Sequence, residues 1–165
     1  MLKLAQRVAA RAAFEEALGS WQPPMPSWVF ELTASFPEDK VALSGPPTAL
    51  EDQILFQDAK QSVALFLPKF LQMLGSKYHD KYHMNATSRG NRMHYYFATH
   101  HPLETFVVDL NARNGKVLMA VHFIPHDVKG KPNLAGSVNE SAKIDSAELA
   151  GLTFMRLARK LLSRV

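Results

Sequence analysis

The sequence contains no cysteine. Without thiols, the chain can form no disulfide, no Cys-ligated zinc or iron–sulfur site and no thiol nucleophile. Its eight glycines are scattered, and they form no glycine-rich phosphate-binding loop. We therefore predict no cofactor from the sequence.

Long apolar runs are also missing. No stretch reaches the roughly 18 uninterrupted apolar residues expected of a membrane-spanning helix. The nearest, residues 54–74, is interrupted by several polar side chains, among them Gln57, Asp58, Lys60, Gln61 and Lys69. This stretch is better interpreted as a core helix, and we predict no transmembrane segment.

Acidic residues are absent from the first 14 positions. Lys3, Arg7 and Arg11 are spaced four apart, so on a helix they share one face, with apolar residues largely opposite. A basic amphipathic helix without acidic residues is typical of a mitochondrial transit peptide. The alternative is an ordinary amphipathic first helix that ends at Gly19. The first interpretation predicts a mitochondrial location, in the matrix or on the matrix side of the inner membrane.

A proline-rich connector, SWQPPMPSW, follows at residues 20–28. Proline disfavours helix at its own position and at the preceding one, so this segment is extended. We expect residues 1–27 to extend away from a single α+β domain at residues 28–165. Trp21 and Trp28 are candidate anchors on a partner.

The 165 residues are 47% hydrophobic, enough for one domain with a sizeable core. Apolar residues spaced three and four apart predict a central helix that starts near Thr48 and stops near Gly75. Pro68 lies inside it and predicts a kink or break near Leu67. The apolar stripe consists of Leu55, Ala59, Val63, Phe66, Phe70 and Leu74.

Three alternating runs within 92–124 predict an antiparallel meander, with turns at His101-Pro102 and Asn114-Gly115. Pairing Thr99 with Glu104 and Asn111 with Lys116 gives one wholly apolar face and one mixed face. The apolar face holds Met93, Tyr95, Phe97, Phe106, Val108, Leu110, Val117, Met119, Val121 and Phe123. Short strands within 28–44 would extend this small sheet, which packs on the kinked central helix and a C-terminal helix.

Two polar stretches carry no strand pattern. Residues 76–91 are interpreted as a loop or a further turn of helix, and residues 126–143 as a long loop. The C-terminal helix begins near Asp145 and buries Ala150, Phe154, Leu157, Leu161 and Val165. Its polar side gathers four cations, Arg156, Arg159, Lys160 and Arg164, which are candidate contacts for protein partners, RNA or anionic lipid.

Seven histidines raise the question of a metal. His79 and His83 could share one ion on a helix, but two ligands are too few. In the predicted register His94 pairs with Asp109, and His122 lies four residues along the sheet from that row, too far to share an ion. A His–Asp pair can orient a general base, yet no nucleophile lies beside it. We predict no catalytic residue and no metal ligand.

Three functions are compatible with these features. The first is a non-catalytic accessory subunit of a large mitochondrial assembly, such as a respiratory complex or the ATP synthase. The second is a mitochondrial ribosomal protein that contacts RNA, although a net charge of +4 is modest for that role. The third is an enzyme or ligand-binding domain that uses the mixed sheet face around His94, Asp109 and His122. An open pocket there would favour the third function, and a covered face would count against it.

Overall fold

The structure, a computed structural model, describes residues 21–32 and 49–165. Within these ranges the chain folds as three α-helices and a five-stranded antiparallel sheet, which confirms the predicted α+β class. The helices are α1 (Leu50–Ala64), α2 (Leu67–Tyr78) and α3 (Ala150–Leu162), and the strands are β1 (His83–Arg89), β2 (Arg92–Ala98), β3 (Glu104–Arg113), β4 (Lys116–Pro125) and β5 (Val138–Ile144).

The sheet is a meander in the order β1-β2-β3-β4-β5. We call its two ends the hairpin end and the loop end. The hairpin end carries the tight turns at residues 90–91 and 114–115. The loop end carries the longer connections at residues 99–103 and 126–137.

The predicted meander is confirmed, with one change of register. His94 lies opposite Asp109, as expected. Between β3 and β4, however, Arg113 lies opposite Lys116 instead of Asn111, a shift of two residues. Asn114 and Gly115 have φ values of 52° and 72°, so a two-residue turn closes the hairpin. An even shift keeps each side chain on its face, and for this reason the predicted faces survive.

The apolar face of the sheet forms the main core beneath the three helices. Phe97, Phe106, Val108 and Leu110 are fully buried there, and Met93 and Phe123 pack at its margin. The predicted stripes of the helices point at this face. Ala59, Val63, Phe70 and Leu74 are buried from α1 and α2, as are Ala150, Phe154, Leu157 and Leu161 from α3.

The predicted break in the central helix lies at Leu65 and Phe66, and Pro68 falls in the first turn of α2. Of the two continuations predicted after Gly75, a further turn of helix is the one observed, because α2 continues to Tyr78 and ends at His79 in a left-handed conformation, φ 54°. Gly75 instead permits a close approach. A Cβ atom there would lie 3.2 Å from the carbonyl oxygen of Asp80, where the chain turns back toward β1.

Three assignments from the sequence are wrong. Residues 83–89 and 138–144 form strands where loop or helix was expected, because these outer strands are polar and half-exposed and lack strict alternation. Ser27–Glu31 is a 3₁₀-helix, not the start of a strand, since Val29 and Leu32, three apart, turn to the same side. The rest of the predicted strands within 28–44 and the Thr48 helix start lie outside the described residues.

The described part of the proline-rich connector does not extend away from the domain. Residues 21–32 pack on the mixed face of the sheet, where Val29 and Leu32 join a second apolar cluster with Tyr96, Val107 and Ile124. The side-chain amide of Asn85 donates to the carbonyl oxygen of Pro23 at 2.9 Å. Val29, Leu32 and the half-buried Trp28 supply the apolar area that holds this segment on the sheet.

Asp52 ties α1 to the hairpin end of the sheet. Its buried carboxylate accepts hydrogen bonds from the backbone N–H groups of Asn114 and Gly115, at 3.0 and 2.8 Å. Hydrogen bonds to a charged acceptor contribute more than neutral ones. The contact therefore fixes both the helix start and the turn.

We expect Asp52→Ala to lower the free energy of unfolding by about 2–3 kcal/mol, because two amide donors lose a charged acceptor. Urea denaturation would measure this loss. Asp58→Ala, an exposed carboxylate on the same helix, is the control and should change stability by no more than about 0.5 kcal/mol. Equal losses for the two variants would contradict this role of Asp52.

Candidate functional site

Four polar side chains from three central strands lie together on the mixed face of the sheet. Arg92 and His94 come from β2, Asp109 from β3 and His122 from β4. We call them the sheet cluster. Their exposed fractions are 6, 3, 4 and 1% in that order, so the cluster does not line an open cleft.

Arg92 and Asp109 form a buried two-pronged ion pair. The Arg92 Nε atom donates to Asp109 Oδ1 at 3.0 Å, and a terminal guanidinium nitrogen donates to Oδ2 at 2.5 Å. Bidentate pairing fixes both side chains and satisfies both carboxylate oxygens. The negative charge of Asp109 is therefore neutralised by the Arg92 guanidinium group.

His94 lies opposite Asp109 but is not a positioned base. Its Nε2 atom is 3.7 Å from Asp109 Oδ1, beyond hydrogen-bond length, and it has no other hydrogen-bond partner. The ring of Phe30 meets it edge-on, with ring centroids 5.2 Å apart. The expected cross-strand pair therefore forms, without the hydrogen bond that general-base chemistry needs.

His122 is the most buried member of the cluster, and its Nε2 atom also has no hydrogen-bond partner. Burial lowers the pKa of His122 to about 4, and the Arg92 guanidinium and His94 also lower it. Burial lowers the pKa of His94 in the same way. Both rings are therefore neutral at neutral pH.

The observed register brings His122 closer to His94 than the sequence predicted. His122 lies opposite Val107, two residues from Asp109 instead of four. Even so, across residues 21–32 and 49–165 there is no group of three His, Asp or Glu side chains placed to hold a metal ion. The cluster consists of an internally neutralised ion pair and two neutral rings.

We expect Arg92→Met to destabilise the protein by about 3–5 kcal/mol, because it leaves the Asp109 carboxylate buried without its counter-charge. The double variant Arg92→Met/Asp109→Leu should recover most of that loss, since it removes both charges. Urea denaturation of the two singles and the double would test this. Additive losses in the double variant would show that the two charges do not depend on each other.

Stability should also depend on His122 at acidic pH. Its pKa is 6.5 when unperturbed and about 4 in the fold. Between these values the unfolded chain binds more protons, so the free energy of unfolding should fall as the pH falls from 6.5 to 4. The contribution of His122 is about 3 kcal/mol. Urea denaturation across this range should give a shallower pH dependence for His122→Leu than for the unsubstituted chain.

The matched control is Val121→Ala, a buried neighbour that does not titrate. It should lower the whole stability curve without changing its slope between pH 4 and 6.5. Identical slopes for His122→Leu and the unsubstituted chain would exclude His122 as the source of the acid sensitivity.

A second feature is an open groove of about 1050 Å³ at the loop end. Trp21, His79, Lys81 and His83 are among its lining residues. The Trp21 indole stacks on His100 with ring centroids 4.0 Å apart, and its other contact is the edge of His83 at 5.2 Å. Trp21, predicted as a partner contact, is thus held by two histidines of its own domain.

The loop end collects five of the seven histidines, which are His79, His83, His100, His101 and His126. The sequence did not predict this grouping, because it depends on β1 and on the loop between β2 and β3. At the same end Tyr82 donates a hydrogen bond to Glu104, and burial raises the pKa of Tyr82. Recognising residues 83–89 as a strand would have been needed to predict that these histidines lie at one end of the sheet.

The predicted partner-binding residues are distributed over three regions. Lys3, Arg7 and Arg11 lie outside the described residues. Trp28 is half-buried and meets Tyr96 edge-on, with centroids 5.8 Å apart. Tyr96 itself is buried under this segment.

The four cations predicted for the C-terminal helix are exposed, but two of them are paired, Lys160 of α3 and Arg164 just beyond its end. Lys160 lies 3.4 Å from the carboxylate of Glu140, and Arg164 also bonds that carboxylate. These two contacts lower the pKa of Glu140. Arg156 and Arg159 therefore carry the positive charge that α3 presents to solvent.

Apolar side chains are exposed on the helical layer, around the hairpin end. Ser62 of α1 accepts a hydrogen bond from the Gly151 N–H at 2.8 Å and donates to the Glu148 carbonyl at 3.2 Å. This contact joins the end of α1 to the start of α3. Leu65, one turn beyond Ser62, and Leu149 and Leu152, beside Gly151, lie around the same junction and are 79, 52 and 62% exposed. We call these three residues the leucine junction.

No match to the chain was found among protein-family models, curated proteins or solved structures. Among the described residues, no helix has the length and apolarity needed to span a membrane.

Proposed function

We propose that this protein is a non-catalytic accessory subunit of a large mitochondrial assembly, and that the leucine junction is its contact with another protein subunit. Candidate assemblies are a respiratory complex and the ATP synthase. The leucine junction carries the proposal, because three exposed leucines held around one helix contact form a preformed apolar surface. Grouped exposed apolar side chains mark interaction sites, whereas scattered ones do not.

The surface extends toward the start of α1. Leu50 and Ile54 are one turn apart on that helix and are 69 and 55% exposed. Asp52, between them, holds the helix against the hairpin turn. Arg156 follows Leu152 by one turn of α3 and supplies a positive rim. An apolar centre with a polar rim is the usual composition of a protein interface.

The mitochondrial part of the proposal rests on the composition of residues 1–14. That stretch combines three cations, Lys3, Arg7 and Arg11, with no acidic residue. Import experiments with isolated mitochondria would test it directly.

The two alternatives receive less support. The enzyme or ligand-binding alternative needs access to His94, Asp109 and His122, and all three side chains are buried. The ribosomal alternative needs an exposed aromatic and basic surface, and Tyr96 is buried while Lys160 and Arg164 pair with Glu140. The side chains of the leucine junction, by contrast, are exposed and available for contact with a protein.

We expect the protein in a mild detergent extract of mitochondria to migrate with a large particle, with or without ribonuclease. Leu149→Glu/Leu152→Glu should shift it toward its own mass of 18.5 kDa, because the charges would have to be buried at the contact. Size fractionation followed by immunodetection measures this. Both leucines are exposed, so the variant keeps its core.

Val128→Glu, at the opposite end of the sheet, is the matched control and should leave migration unchanged. Release of the protein by ribonuclease would favour the ribosomal alternative instead. Migration of the unsubstituted chain near 18.5 kDa would overturn the accessory-subunit proposal.

A further inference from the structure

The connection between β4 and β5 begins with a short, highly ordered loop, His126–Lys131, which we call the apical loop. The side chain of Val128 at its tip is fully exposed. Lys129 and Lys131 follow Val128 in the loop, and neither ammonium group forms an ion pair with another described residue. The Val128 side chain, fully in water, contributes nothing to the packing of this fold.

Backbone hydrogen bonds hold the apical loop in one shape. The N–H of Gly130 donates to the carbonyl oxygen of Asp127 at 2.9 Å, and the N–H of Asp127 donates to the carbonyl oxygen of Lys131 at 2.8 Å. The Asp127 carboxylate accepts from the N–H groups of Lys129 and Lys131, at 2.8 and 2.9 Å. Gly130 has a φ of 81°, which glycine adopts at no steric cost.

His126 anchors the loop to the sheet. Its Nδ1–H donates to the carbonyl oxygen of Gly130 at 3.0 Å, so Nε2 is the acceptor for the hydroxyl of Thr105, at 3.1 Å. Thr105 is fully buried and also hydrogen-bonds the hydroxyl of Tyr96. This chain of contacts ties the loop to the sheet beneath it.

A second exposed apolar residue lies beside the loop. The N–H of His126 donates to the carbonyl oxygen of Leu103 at 2.9 Å, and the Leu103 side chain is 76% exposed. Leu103 and Val128 therefore project from neighbouring positions at the loop end. Together with the two lysines they form a convex, rigid tip that is apolar and positively charged.

We propose that this tip, formed by Leu103 and the apical loop, docks on the surface of an anionic lipid bilayer. Leu103 and Val128 enter the boundary between headgroups and acyl chains, and Lys129 and Lys131 pair with the anionic headgroups. The contact is separate from the leucine junction, which lies around the hairpin end. The proposal therefore does not depend on the accessory-subunit function.

The size and shape of the tip favour a bilayer over a protein. A stable protein interface buries about 800 Å² on each partner, from 20–30 residues, whereas the tip offers one six-residue turn and one leucine. A convex tip would also need a matching cavity in a protein. A bilayer surface deforms, and binding to it grows with each buried apolar group and each lysine without a minimum area.

The test is co-sedimentation of the full chain with vesicles. Vesicles of phosphatidylcholine alone are compared with vesicles that also contain phosphatidylglycerol, at low and high salt. We expect binding to the phosphatidylglycerol vesicles, and we expect salt to weaken it. Failure to bind phosphatidylglycerol vesicles at low salt would overturn the proposal.

Variants locate the contact. Lys129→Gln/Lys131→Gln should lower the vesicle partition constant about 30-fold, and Val128→Asp about tenfold or more. Both leave Asp127, His126 and Gly130 in place, and matching circular dichroism spectra would verify the fold. Leu152→Asp, in the leucine junction, is the control and should bind as the unsubstituted chain does.

The basic N-terminal stretch is the competing source of lipid binding. Lys3→Gln/Arg7→Gln/Arg11→Gln should retain most of the loop-dependent binding. If this triple variant loses binding while Lys129→Gln/Lys131→Gln and Val128→Asp retain it, the apical loop is not the membrane contact. Loss of binding in Leu152→Asp alone would likewise assign the surface to the hairpin end and overturn the proposal.

Discussion

Phe70 of α2 packs against three other phenylalanine rings, each from a different element. Its ring contacts Phe97 of β2, Phe106 of β3 and Phe154 of α3 in edge-to-face arrangements, with centroids 4.8, 6.0 and 5.2 Å away. Such pairs contribute beyond the apolar area that they bury. Through this ring α2 packs on both the sheet and α3, and along the chain α2 connects α1 to β1. The break at Leu65 and Phe66 precedes Pro68, which lacks an N–H donor and whose ring would clash with the carbonyl group of Ala64 in a continuous helix.

This core separates the two candidate contact surfaces. The leucine junction sits where α1, α2 and α3 come together near the hairpin end, and the apical loop sits at the opposite end of the same strands. Neither surface includes a buried residue, so each can change without repacking the interior. The sheet cluster lies between them on the mixed face of the sheet, where it is buried away from solvent. Its two charged groups, Arg92 and Asp109, form an ion pair with each other.

The central part of the fold follows from the sequence because its signals are strong. Alternation in β2, β3 and β4 identifies the apolar face, and since the turn at Asn114-Gly115 was misjudged by an even number of residues, the faces remained correct. The outer strands have no such signal: their side chains are polar and either half-buried, as in Asn85, or exposed, as in Lys143, so propensity alone points to loop. The His94–Asp109 row was predictable from the register, but its burial was not. It follows from the packing of residues 21–32, and proline-rich composition says nothing about where an extended segment docks.

The polar character of the outer strands has a consequence for the whole molecule in a crowded compartment. An exposed sheet margin with apolar side chains invites pairing with the margin of another copy, the first step of edge-to-edge aggregation. Here β1 and β5 carry asparagine, serine, threonine, glutamate and lysine at positions that would have to be dehydrated in such a pairing. Glu140 is already engaged by two cations of α3, so even its charge is tied to its own chain. The strands that were hardest to recognise are thus the ones whose polar side chains disfavour edge-to-edge pairing.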